Sequence, residues 1–117
     1  MKENIIVIKS FNFSMQILQL FKVLVKQNEY IISKQLLRCS TSIGANVEEA
    51  GAATSRKDFA LKMSIASKEA REARYWLRLL KEDDFIKGYN YTDLLNEIDQ
   101  IINILTKIVK TAQENSK

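Results

Sequence analysis

No proline occurs anywhere in this chain, and glycine occurs three times. Proline and glycine are the strongest local punctuators of backbone structure. A chain that lacks the first and nearly lacks the second leaves room for long uninterrupted helices. It is poorly equipped for a β-sandwich, which needs a turn every few residues. At 117 residues the chain fits one domain, so residues 1–117 are expected to form a single unit around one core.

Hydrophobic periodicity divides the chain into four helices. The first is expected from about Phe11 to Gln27, with Phe11, Met15, Leu18, Phe21 and Val25 as its stripe and Ile17, Leu20 and Leu24 widening it. Ser10 or Asn12 would cap it. The preceding Asn4 to Ile8, rich in β-branched residues, reads as an extended arm within residues 1–10. The second helix is expected from about Lys34 to Ala53, capped by Ser33, with Leu36, Ile43, Val47 and Ala50 inward. Its middle, Ser40 to Asn46, has loop-like propensity, but the apolar period crosses it in phase. Gly44 there costs about 1 kcal/mol of helix stability relative to alanine, which implies a packing reason.

The third helix is expected from about Arg56 to Asp83, with Ser55 and Asp58 forming a capping-box-like start. Phe59, Ala66, Ala70, Ala73, Leu77 and Leu80 share one face, and the alanines imply a close helix contact. A second apolar strip, Leu61, Ile65, Trp76 and Leu79, implies a second neighbour, which another subunit could supply. The fourth helix is expected from about Thr92 to Gln113, after a break at Gly88 and Asn90, leaving a flexible tail at about 114–117. Short connections make successive helices antiparallel. The expected architecture is all-α, an up-down-up-down antiparallel four-helix bundle.

Composition removes several functions. There is no histidine, hence neither the commonest general base nor the imidazole ligand of most zinc sites. No cofactor is expected. Cys39 is the only cysteine, so it has no intrachain partner, and a reducing cytoplasm is the expected setting. Cys39 itself is expected to pack as a small apolar residue. No apolar run is long enough to span a bilayer, and the four-residue apolar stretch near the N-terminus is too short for a secretory signal. Neither a membrane partner nor catalysis is expected.

Three constellations remain. Arg71, Arg74, Arg78 and Lys81 fall within about 80° on the helical wheel. The segment Arg56–Lys81 holds eight basic residues against Asp58, Glu69 and Glu72, a net of +5. Such a stripe could track the phosphates of RNA or DNA, or be a solvated face. Trp76 points roughly opposite the stripe, so base stacking is weakly supported. Glu48, Glu49, Glu69 and Glu72 could be metal ligands or acid–base groups. With arginines so near, ion pairing of Glu69 and Glu72 to Arg38, Arg71 or Arg74 is the better reading. Ser40, Ser42 and Asn46 form a small polar strip, read as interhelical hydrogen bonding in preference to a ligand site.

Several blocks carry a family resemblance: Gln35-Leu36-Leu37-Arg38, Ser42-Ile43-Gly44-Ala45-Asn46-Val47, Glu49-Ala50, Ser55-Arg56-Lys57-Asp58-Phe59, Lys68-Glu69-Ala70-Arg71-Glu72 and Tyr75-Trp76-Leu77. In content and spacing the chain resembles the four-helix-bundle family named for the 23S rRNA-intervening sequence proteins. Gly51-Ala52-Ala53 departs from the pattern, since similar proteins often carry a glutamine near there. The resemblance implies a left-handed bundle, a homopentamer and no enzymatic activity. Some relatives are encoded within insertions in bacterial large-subunit ribosomal RNA genes. A similar bundle serves diversity-generating retroelements as a basic pentamer that engages a reverse transcriptase and nucleic acid. Two functions follow as expectations: an oligomeric nucleic-acid-associated accessory protein acting through Arg71, Arg74, Arg78 and Lys81, or a scaffold for a partner protein acting through Ile65, Trp76 and Leu79. Arg38, Asn46, Glu49, Glu69 and Glu72 are expected to be structural.

Overall fold

The computed structural model describes the backbone of residues 2–115 and the side chains of residues 5–115. Four helices follow one another: α1 (Lys2–Lys26), α2 (Ile32–Ala50), α3 (Arg56–Asp83) and α4 (Thr92–Asn115). Each packs on two neighbours in the cyclic order α1, α2, α3, α4, and the α1/α4 seam is the slightest of the four. The bundle measures 48 × 20 × 20 Å, close to the length of α3 at about 1.5 Å per residue.

Cross-helix bonds give the directions. On α1 and α2, Ser14 Oγ donates to the Ser40 carbonyl at 3.2 Å, while Gly44, further along α2, faces the earlier Ser10. Arg38 reaches Glu69 and Glu72, and Glu49 accepts from Lys62. Arg74 reaches Asp99, and Arg56 reaches the Asn115 carbonyl. In each pair one number rises as the other falls. Neighbours are therefore antiparallel, and the bundle runs up-down-up-down.

Two expectations for α1 are corrected. The segment read as an extended arm is helical from Lys2 onward. Its run Ile5-Ile6-Val7-Ile8 favours strands by propensity, but Ile6 is fully buried in the core and Lys9 Nζ donates to Glu97 and Gln100 across α4. Burial and these bonds outweigh a propensity difference of a few tenths of a kcal/mol per residue. Ser10 and Asn12 consequently lie inside the helix and cap nothing. The inward stripe is also rotated. Ile6, Ser10, Phe13, Ile17, Leu20 and Leu24 are buried, whereas Phe11 and Met15 are 61% and 46% exposed. Apolar residues lie on nearly every side of α1, so periodicity alone could not select the buried one.

The other helices follow their periods. Leu36, Ile43, Val47 and Ala50 are buried on α2, and Ala66, Ala70, Ala73, Leu77 and Leu80 on α3. Leu94, Ile98, Ile101, Ile102, Leu105 and Ile108 are buried on α4. The polar middle of α2 is helical as expected, but the helix stops at Ala50, and residues 51–53 form the turn. Ser33 is buried in the first turn of α2 and does not cap it. The Glu29 carboxylate does so from the loop, accepting from the N–H groups of Ser33 (2.6 Å) and Ile31 (3.2 Å). Ser55 caps α3 as expected, its hydroxyl accepting from the Asp58 N–H at 3.0 Å. Gly88 lies in the α3–α4 loop at φ +75°, a region that disfavours side chains. Of the expected tail, Glu114 and Asn115 are helical, and residues 116–117 lie outside the described residues.

Gly44 brings α2 against α1, yet a Cβ there would lie 3.6 Å from Ser14 Oγ and 3.7 Å from the Ser10 carbonyl oxygen, ordinary contact distances. Gly44→Ala should therefore be neutral or stabilise by up to about 1 kcal/mol. Gly44→Leu should force α1 away and cost roughly 1–3 kcal/mol. Urea unfolding followed by circular dichroism will separate the two.

Candidate nucleic-acid interface

The outer surface of α3 is divided along its length. One edge faces α4 and is basic. The other faces α2 and is apolar and aromatic. The division follows from the helical wheel, and tertiary packing assigns each edge a neighbour.

On the α4 side, Arg71 Nη2 donates to Thr106 Oγ1 at 3.3 Å, and Arg74 Nη1 donates to Asp99 Oδ1 at 3.2 Å. Arg78 and Lys81 are exposed. Two shallow grooves run along this seam. One, of about 400 Å³, is lined by Arg74, Arg78 and Lys81 with Glu82, Leu95 and Asp99. The other, of about 490 Å³, holds Lys68, Arg71 and Lys110 beside the hydroxyls of Ser64, Ser67 and Thr106. The first sets three cations against two carboxylates. The second has three cations and no carboxylate among its described lining residues. The uncompensated positive charge thus centres nearer Arg71 than the stripe by itself implies. Lys110 was missed in the sequence because it belongs to another helix, and nothing in a one-helix wheel could have found it.

On the α2 side, Arg38 bridges two carboxylates, bonding Glu69 Oε2 at 3.1 Å and Glu72 Oε2. Trp76 Nε1–H donates to the same Glu72 oxygen at 3.0 Å. These bonds hold the Glu72 carboxyl below the usual carboxylate range, the Trp76 hydrogen bond first and Arg38 next, against the opposing effect of burial. Glu49 pairs with Lys62 at 3.0 Å. Of the three arginines considered for Glu69 and Glu72, Arg38 is the partner, while Arg71 and Arg74 turn to α4. The polar strip on α2 behaves differently from expectation. Asn46 Nδ2 bonds the Ser42 carbonyl (2.8 Å) and hydroxyl (3.1 Å) within its own helix. The α1–α2 link comes instead from Ser14 to the Ser40 backbone. Cys39 is buried, and burial pushes its thiol up to about 12, as befits a packing residue.

Beyond Glu72, the apolar edge comprises half-buried Ile65 and Trp76 with exposed Leu61, Tyr75 and Leu79. The Tyr75 and Trp76 rings meet edge-on at 5.2 Å. A second outward apolar stripe lies on α1: Ile5, Ile8, Phe11 and Met15 are 46–61% exposed. α1 and α3 are diagonal in the bundle, so the two stripes are separate surfaces. Of these four, periodicity places Phe11 and Met15 in the core and Ile5 and Ile8 in an arm, and the structure turns all of them outward.

Glu72 carries a pH dependence that is open to measurement. Its folded pKa lies below its unfolded one, so its stabilisation is present above the unfolded carboxylate value of about 4.3 and is lost as pH falls through the lowered folded value. The urea midpoint, followed by the fluorescence of Trp76, the only tryptophan, should fall as pH drops below about 5. Glu72→Gln should flatten that fall.

Residues 2–107 match the family described as 23S rRNA-intervening sequence protein. The crystal structure of a protein of unknown function from the S23 ribosomal protein family of Bacteroides thetaiotaomicron is similar, with a TM-score of 0.89 and 45% identity. That match covers 94% of this chain and 99% of that one. No curated protein matches. A shared four-helix architecture at such identity, with the family match over nearly the whole chain, leads to one conclusion: the chain belongs to the 23S rRNA-intervening sequence protein family.

Proposed function

We propose that this protein is a non-enzymatic, cytoplasmic accessory protein that assembles with copies of itself and binds RNA along the α3/α4 seam. The observation that carries the reading is the groove of Lys68, Arg71 and Lys110, where three cations meet no described carboxylate. Hydroxyls and cations along a groove suit phosphate contacts, which position a nucleic acid without reading its sequence. Arg78 and Lys81 extend the track, and Asp99 tempers it at Arg74. The family's name ties its members to 23S rRNA insertions, which favours RNA over DNA.

Self-assembly is supported by the two apolar stripes. Monomers rarely expose extended apolar patches. Two separate stripes, one on α1 and one on the diagonal α3, suit a head-to-tail contact that closes a ring. A pentamer, implied by the resemblance, is the ring size proposed. Contacts through α1 and the α2-facing edge of α3 leave the α4 seam outward. The exposed Phe11 also favours a second reading, a scaffold whose partner is another protein covering that stripe.

Salt-dependent binding of a structured RNA, measured by fluorescence anisotropy, tests the proposal. Binding should weaken steeply with salt, and each of Arg78→Glu and Lys110→Glu should lower the slope of log affinity against log salt by roughly 0.7–0.9. Those variants should elute as the parent does in gel filtration, whereas Phe11→Glu or Leu79→Glu should yield smaller species. Unchanged binding by the charge-reversed double variant would sink the RNA reading. No binding even at low salt would favour the protein scaffold.

A further inference from the structure

At the end of the bundle opposite the α3–α4 loop, α2 ends, α3 begins and α4 runs past them. A cleft of about 750 Å³ opens there, within the size range of small-molecule sites. Its floor is apolar, formed by Val47, Phe59, Met63 and Ile108, while Arg56 and Lys107 stand at its rim. No carboxylate lies among the described lining residues. The turn at its mouth, Gly51-Ala52-Ala53-Thr54-Ser55, carries no side chain larger than threonine.

We propose that this cleft binds a small amphipathic anion, a carboxylate carried on an aliphatic body such as a medium-chain fatty acid. Charge complementarity selects the head group. Arg56 spends Nη1 on the Asn115 carbonyl at 3.1 Å, which steadies the guanidinium and leaves its remaining donors for a carboxylate, whose geometry they match. The Lys107 ammonium adds a second cation. The start of α3 is already capped, Ser55 accepting from the Asp58 N–H and the Asp58 carboxylate accepting from the Thr54 N–H, so the two side-chain cations alone select the head group. The wall selects the tail: Val7, Phe59 and Ala112 line the cleft and are only partly buried, so an alkyl chain would cover apolar surface that water now touches. The cleft shares no described lining residue with the two basic grooves and does not depend on RNA binding.

The test is a titration of the ¹⁵N-labelled full chain with decanoate, followed by amide shifts. The expected result is saturable shifts confined to Gly51–Phe59 and Lys107–Asn115, with decanol and acetate each at least tenfold weaker. Arg56→Gln with Lys107→Gln should weaken decanoate at least tenfold while leaving the free spectrum folded. Thr111→Trp should weaken it by filling the cleft, and serves as the second variant if the first loses its fold. Decanol binding as tightly as decanoate, shifts centred on Ile8 and Phe11 of the outer stripe of α1, or no saturation by 1 mM would each overturn the proposal.

Discussion

Ala66, Ala70 and Ala73 offer nothing beyond a methyl group, and each is fully buried. That smallness governs how near the neighbours of α3 can come, and much of the structure depends on it. Because α2 lies close along α3, Arg38 can reach both Glu69 and Glu72 from the adjacent helix. Glu72 is then placed to accept from Trp76, which pins the indole to the α2 edge. Exposed ion pairs contribute little stability each, about 0–1 kcal/mol. Their value here is orientational: they fix which edge of α3 is aromatic, and so leave the basic edge to α4.

That division explains how one helix can carry two kinds of surface. A single apolar stripe would serve one neighbour and leave the rest solvated. α3 has a buried alanine–leucine face, an outward apolar edge and a basic edge, in that angular order. The outward apolar residues of α1, on the helix diagonal to α3, form a second apolar surface. Arg71, Arg74 and Arg78 lie away from both apolar stripes, while Arg38 sits on the aromatic edge already paired with Glu69 and Glu72.

The comparison of sequence with structure is most instructive at α1. Periodicity located the buried faces of α2, α3 and α4 because each carries a regular inward apolar row, although α3 has a second, outward one. α1 is apolar on nearly all sides, so the stripe read through Phe11 and Met15 and the buried one through Phe13 and Ile17 are both compatible with a helical period. Only the shape of the cavity left by the other helices chooses between them. The same limit hid Lys110, whose relevance comes from lying across a groove from Arg71. It also hid Glu29, a cap that acts from the preceding loop.

The sequence by itself determined the class of the protein. Lack of proline and an in-phase apolar period specify helices, and the spacing of conserved-looking blocks from Gln35 to Leu77 sufficed for the family, because both are properties of local order along the chain. Tertiary structure alone decided which side of α1 is buried, that the Ile5–Ile8 run is helical and that Arg38 is the partner of Glu69 and Glu72. It also decided where the positive charge of the α3/α4 seam is left uncancelled. Each of these turns on residues distant in sequence meeting across a helix interface, and burial and charge pairing at that interface outweigh the small local preferences legible in the chain.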